Sequence, residues 1–385
     1  VDLATTLKTR STRGNVRELG INPNYWYAVG WAANLESGQV MQITIWQQDI
    51  VVYRDREGQL HALENRCPHK GVSLDRGRVM GKHLACAYHG WEFDAQGHCV
   101  KIPYLPSEQP LPCAQVRSYP IQERTGLIWV FPGNPDRAHM HQPPDMPEYG
   151  QSGWLDIPVT GYFRAHFSIC NENSMDVFHG FLHEKLQGWF DPVLLKLRET
   201  ETMVAAEYQV SYKGWIAKFL GLSERADAVT TLPITVQYRY PHYQSELQGV
   251  SSLYLMRLPV GPTESRSFAI FFFRVQLPPW LLNPLKPLLR SLLQRFVLYR
   301  FLEQDIEMME SEQKNYSRQP QRRYVEINPA IVAVQRLITR QFEQYQRETH
   351  EFQDSGHKTS PTHVEESIRS SSESAISESA FSQGA

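Results

Sequence analysis

The chain has 385 residues, enough for two domains with cores of their own. Its 39 basic and 41 acidic residues leave a net charge of −2, so bulk electrostatics point to no nucleic-acid partner. Five cysteines, an odd number, make no disulfide framework and suit a reducing, cytoplasmic compartment or a metal role.

Residues 1–24 form a mildly basic arm without the apolar stretch of a secretory signal, and no apolar run is long enough to cross a membrane. Residues 25–135 read as an all-β domain. In "ITIWQQDIVVYRDREGQLHAL" two β-rich runs flank a turn at Asp55-Arg56-Glu57-Gly58, and "GLIWVFPGNP" is a strand ending in turn chemistry. A Pro-rich connector over 133–150 marks the boundary to a second domain, 136–350. There "CNENSMDVFHGFLHEK" (170–185) predicts a helix over 171–186, with Val177, Phe178, Phe181 and Leu182 as its core side. The runs "MVAAEYQVSY", "ITVQYRY", "SSLYLMRLPV" and "SFAIFFFRVQL" predict an antiparallel sheet. Helices are expected from Leu281 to about Tyr316 and from Pro329 to Arg347, so the class is α+β. The Ser-rich tail, 351–385, is expected to be disordered.

Two stretches carry chemistry. In "NRCPHKGVSLDRGRVMGKHLACAYHGWEF" (65–93), Cys67-x-His69 and Cys86-x-x-His89 each offer one thiolate and one imidazole. Such a set suits zinc or an iron–sulfur cluster. Zinc loops usually hold two to four residues between ligands, and one pair here is separated by only one. In the second stretch, Asp176, His179 and His183 are spaced three and four apart, which on a helix places them on one side. His-x-x-x-His is a two-nitrogen chelate, and two buried histidines with backbone partners are the plainer alternative.

With Gly71, Gly77, Gly90 and Trp91 around the first set, residues 25–132 resemble the Rieske [2Fe–2S] domain. The resemblance makes Cys67, His69, Cys86 and His89 the cluster ligands. Respiratory Rieske proteins carry an extra cysteine in each loop. Here Val72 and Ala87 or Tyr88 stand at those places, as in the disulfide-free kind found in oxygenases. Cys99, Cys113 and Cys170 are expected to be buried thiols.

A Rieske domain followed by Asn173-x-x-Asp176-x-x-His179 and His183 resembles the catalytic α-subunit of Rieske non-haem iron oxygenases. The expected second domain is then a helix-grip fold, an antiparallel sheet with long helices. The resemblance implies that His179, His183 and Asp305 hold a mononuclear iron(II), with Gln304, Glu310 and Gln313 completing the pattern around Asp305. The two helices carrying them, 171–186 and 297–315, are expected to meet. Asp176 is implied to link His179 to His89 of a neighbouring subunit, with Asn173 supporting the network, in a homotrimer. The gap between the two histidines is three residues, where the family pattern has four.

The function implied is hydroxylation or oxidative demethylation of an apolar or aromatic small molecule. It uses O₂ and electrons from a separate ferredoxin or reductase, because no flavin or nicotinamide fingerprint appears in the chain. Arg257, Arg274 and Lys213 are expected to be exposed charge. Residues 277–302, apolar with interspersed Lys286, Arg290, Arg295 and Arg300, suggest a lid, a core helix or peripheral contact with a membrane. Three alternatives remain: a chlorophyll-pathway type of pigment oxygenase at a membrane, an electron carrier or redox sensor lacking the mononuclear iron, and a scaffold or lipid-binding protein of the helix-grip type that binds a ligand without chemistry.

Overall fold

A computed structural model describes residues 15–356 apart from 107, 184–185, 187–188, 214–228, 248, 276 and 323. The chain divides into two units, Val1–Phe342 and Glu343–Ala385. Of the second unit only the end of a helix is described, where Gln344 donates to Glu348 at 3.0 Å. The tail beyond 356 lies outside the described residues.

The N-terminal β-domain holds three small antiparallel sheets. One is β2 (Val40–Ile45), β3 (Gln48–Arg54) and β4 (Leu60–Glu64). A second runs β5 (Arg78–Met80), β6 (His83–Ala85), β7 (Glu92–Phe93) and β8 (Cys99–Lys101). The third orders β1 (Tyr27–Trp31), β10 (Leu127–Val130) and β9 (Ile121–Arg124). The stretch expected as two β runs is three strands, because a hairpin turns at Trp46-Gln47. Both residues have positive φ, 47° and 64°, the twist that a two-residue hairpin demands and that Asn-Gly usually supplies. The backbone N–H groups of the turn donate to Pro259 O and Val260 O, each at 2.8 Å, so the hairpin tip is pinned to the second domain.

That domain is built on one seven-stranded antiparallel sheet in the order β11-β17-β16-β15-β14-β13-β12. Its strands are β11 (Trp154–Phe163), β12 (Trp189–Glu199), β13 (Met203–Tyr212), β14 (Thr230–Arg239), β15 (His242–Leu247), β16 (Ser251–Gly261) and β17 (Glu264–Arg274). Burial alternates along β11 and β13 with the period of a pleated strand. Among the described residues four α-helices accompany it: α1 (Phe167–Met175), α2 (Pro279–Leu293), α3 (Tyr299–Arg318) and α4 (Pro329–Gly356). Between α2 and α3 the winding loosens to a π-turn, Gln294–Leu298. No described helix is long and apolar enough to cross a membrane. Residues 15–24, the end of the expected arm, are folded: Arg17 is ion-paired with Glu172 and donates to Glu312 at 2.7 Å.

The single helix expected over 171–186 is broken. α1 stops at Met175, Asp176 is extended (φ −85°, ψ 97°), and a short 3₁₀ helix, Val177–Phe181, follows. Asp176 is the physical reason. Its carboxylate accepts from Phe178 N at 3.0 Å and caps the new turn, while its own N–H closes the old one on Glu172 O. The break also overturns the expected core side: Val177 is buried, whereas Phe178 is 40% and Phe181 87% exposed.

Candidate cluster loops and metal centre

The two Cys/His loops share one backbone frame. Cys67 N donates to Val72 O and Gly71 N to Cys67 O; Cys86 N donates to Trp91 O and Gly90 N to Cys86 O. In each, the glycine four residues after the cysteine has positive φ, 71° and 69°, which a side chain resists. Gly77 meets a different constraint, since a Cβ there would lie 2.3 Å from Ala85 O. Asn65 secures the first loop by accepting from Leu74 N and Asp75 N at 2.7 and 2.8 Å.

The loops bring all four side chains together. Cys67 and Cys86 are buried and adjacent; burial, reinforced by the neighbouring Cys86, pushes the Cys67 thiol up to about 11. A metal that takes both thiolates removes that cost. The His69 and His89 rings lie 4.5 Å apart, and His69 stacks on Trp91. The buried Nδ1 of His69 has no hydrogen-bond partner among the described residues, which fits an atom reserved for a metal. No disulfide joins the cysteines, and Cys113, expected to be buried, is exposed in its loop.

In the second domain His179, His183 and Asp305 converge, with their ligand atoms within 4.8 Å of one another. Asp305 Oδ1 lies 3.1 Å from His183 Nε2 and 3.8 Å from His179 Nε2. His183 is oriented from behind. Gln304 Oε1 accepts from His183 Nδ1 at 2.9 Å, which turns Nε2 toward Asp305. Beside His179 the charge of Asp176 favours the protonated ring. Burial lowers the His179 pKa and keeps it neutral. Burial also opposes charge on His183, but the hydrogen bond and charge of Asp305 outweigh it and raise its pKa.

Asn173 makes a long 3.4 Å contact to Asp305 Oδ1 and none to the Asp176 carboxylate. Asp176 is held instead by Asn328, whose Nδ2 donates to Oδ1 at 3.0 Å while its Oδ1 accepts from Tyr208. Nothing in the sequence marks Asn328 beyond an N-cap residue before Pro329. Glu310 and Gln313 are mounting residues: they accept from Arg164 N and His166 N at 3.0 and 2.8 Å and tie α3 to the start of α1. Arg257, expected to be exposed, is buried. It donates to Cys170 O and Ser174 Oγ, both at 2.9 Å, near the C-terminus of α1, where a cation is favoured. Arg274 and Lys213 are exposed.

The three converging residues sit in the wall of a cavity of about 300 Å³ between the sheet and α3. Its other walls are mostly apolar, among them Val159, Leu255, Phe271, Phe301 and Leu302. Gly161 gives it room, since a Cβ there would lie 2.8 Å from the Phe163 ring.

Residues 25–120 match the Rieske [2Fe-2S] domain, and residues 163–344 match the vanillate O-demethylase oxygenase C-terminal domain. A 4β-methylsterol monooxygenase of Methylococcus capsulatus is 33% identical over 344 residues, 87% of this chain and 92% of that protein. The chain belongs to the Rieske non-haem iron oxygenases, as a catalytic α-subunit. This oxygenase carries a Rieske [2Fe–2S] cluster and a mononuclear non-haem iron. It uses O₂ and electrons from a separate donor protein to oxidise an apolar or aromatic small molecule. The iron–sulfur subunit TsaM1 of the toluene-4-sulfonate monooxygenase system of Comamonas testosteroni is 30% identical over 218 residues, 52% of this chain and 61% of that one. Crystalline dicamba monooxygenase with 3,6-dichlorosalicylic acid shares the fold, at a TM-score of 0.70 and 21% identity over 84% of this chain and 98% of its own. With three residues between His179 and His183, the two imidazoles and Asp305 still converge.

Proposed function

We propose that this oxygenase oxidises a methyl carbon of a lipophilic, sterol-like substrate. In this proposal Cys67, Cys86, His69 and His89 hold the cluster, and His179, His183 and Asp305 hold the iron. The carrying observation is the convergence of two imidazoles and one carboxylate at the wall of an apolar cavity. Similarity to a methylsterol monooxygenase along nearly its whole length supports the substrate class.

When bound, the cluster stores and passes single electrons and the iron activates O₂. The chain's residues do the positioning. His179, His183 and Asp305 would hold the iron at the cavity wall, and the apolar space beside them would take the substrate. Gln304 sets which nitrogen of His183 faces inward. The apolar walls keep bulk water from the reacting carbon.

The same proposal places the working enzyme in the cytoplasm as a homotrimer. It gives Asp176 and Asn173 the connection between the iron and a neighbouring copy's cluster. Three observations support this. Phe181, Val325 and Ile327, on the segments that carry and hold Asp176, are 87%, 87% and 74% exposed. Tyr88 and Tyr104, beside the cluster loops, are exposed as well. The Asp176 Oδ2 oxygen has no hydrogen bond among the described residues. Residues 277–302 are assigned peripheral contact with a membrane, where a lipophilic substrate concentrates.

The test is iron and acid-labile sulfide on anaerobically purified protein, with an EPR spectrum after reduction. About three irons to two sulfides per chain, with a Rieske-type signal, is expected. Two irons to two sulfides that iron(II) does not raise would sink the assignment of His179, His183 and Asp305.

A further inference from the structure

Helix α2 has two unlike faces. Leu289 and Leu293, with Val297 just beyond, pack inward against Leu155, Ile157 and Val159 of β11. The outward face carries Trp280, Pro284, Pro287, Leu288, Ser291 and Leu292, all exposed and none charged, with Trp280 at 76%. A helix face turned to water normally carries charge. The surrounding sequence contains no Asp or Glu from Leu277 to Leu302, while Lys286, Arg295 and Arg300 flank the apolar strip. Arg290, the remaining cation of the segment, is spent inward on Asp156. A tryptophan-bearing apolar strip whose own segment carries only positive charge complements a surface of acyl chains beneath anionic headgroups.

The same segment continues into the cavity. From the π-turn into α3, Val297, Leu298, Phe301 and Leu302 line the chamber that holds His183 and Asp305. Two polar ties, Arg290 to Asp156 and Gln294 Nε2 to Pro158 O at 2.8 Å, fasten α2 and the π-turn to β11.

We propose that the outer face of α2 docks on an anionic lipid bilayer, and that the apolar substrate passes from lipid into the cavity along this segment. This rests on the lipophilic-substrate proposal above and adds the docking residues, the lipid charge and the route.

The test is flotation of the full-length holoenzyme with vesicles of phosphatidylcholine alone or with a quarter phosphatidylglycerol. Binding is expected to the anionic vesicles and to weaken with salt. The triple variant W280S/L288S/L292S, which touches no cavity-lining residue, is expected to lose binding tenfold or more. Lys286→Glu with Arg295→Glu is expected to lose the preference for phosphatidylglycerol, again by roughly tenfold. No flotation, or flotation unchanged in the triple variant, overturns the proposal. So does concentration-dependent self-association that the triple variant abolishes without any vesicle binding, because the face would then meet a second copy. Iron and sulfide contents, read on the same samples, report separately on the oxygenase assignment.

Discussion

Replacing Gln304 by leucine should weaken iron binding without touching a ligand. His183 is 1% exposed, and Gln304 Oε1, at 2.9 Å, is the partner of its Nδ1. Leucine keeps the volume and removes the acceptor. The buried Nδ1–H then loses that acceptor, at a cost of about 1–3 kcal/mol. The ring is also free to place its proton on Nε2, the nitrogen 3.1 Å from Asp305. Loss of such an orienting partner typically lowers metal affinity about 10–100-fold, or roughly 1.4–2.7 kcal/mol, and the two ranges agree. The assay is competition for iron(II) against a chelator of known affinity, with the cluster spectrum as internal control. Gln304→Leu should fall in that range with an unchanged Rieske signal. Gln304→Glu, which keeps an acceptor, should bind at least as tightly as the parent. Equal affinity in the leucine variant would refute the role given to Gln304.

Asp305→Ala should drop the iron-to-sulfide ratio from about 3:2 to about 2:2 while the Rieske signal persists; an unchanged ratio would mean the iron sits elsewhere. Asp176→Asn should keep both cofactors yet slow reoxidation of the reduced cluster in a single turnover by roughly 10–100-fold, and an unaltered rate would remove it from the electron path. Stability should fall on acidification. Burial holds His166 and His242 near 4 in the folded state, against about 6.5 unfolded, so the unfolded chain takes up the protons. Their contribution is complete above pH 6.5 and is lost as the pH falls toward 4, about 2 kcal/mol each by pH 5; equal urea midpoints at pH 7 and pH 5 would contradict this. Gly161→Ala should destabilise by about 1–3 kcal/mol and reduce substrate affinity, because the new methyl presses on Phe163 at 2.8 Å and Leu302 at 3.3 Å; a thermal midpoint unchanged from the parent would show that the ring yields.

The α+β class, the four cluster-loop residues and the sheet runs from Met203 onward were legible because they rest on local chemistry, spacing or period-two burial. β13 begins and ends where its pattern does. Other features depended on distant contacts. The Trp46-Gln47 turn lacks the usual turn residues and is held by Pro259 and Val260. β12 and β15 were passed over; in β12 the register shifts twice against its neighbour, which blurs the alternation. The break at Asp176 was hidden because aspartate is tolerated in a helical pattern; its cap on Phe178 N and its hold by Asn328, just before α4, show only in the fold. Arg257 reads as a surface charge until Cys170 and Ser174 surround it.

The shorter gap between His179 and His183 has a consequence for recognising distant kin. His179 lies on a 3₁₀ turn and His183 in the bend that follows, and both are positioned from Asp176 and Gln304 rather than by a continuous helix. Angular placement there is set by local winding, and the three side chains still converge. Searches that demand a fixed count between the histidines would discard such a chain. In this chain the structural landmark of the segment is the aspartate that ends one helix and begins the next turn, three positions before the first histidine.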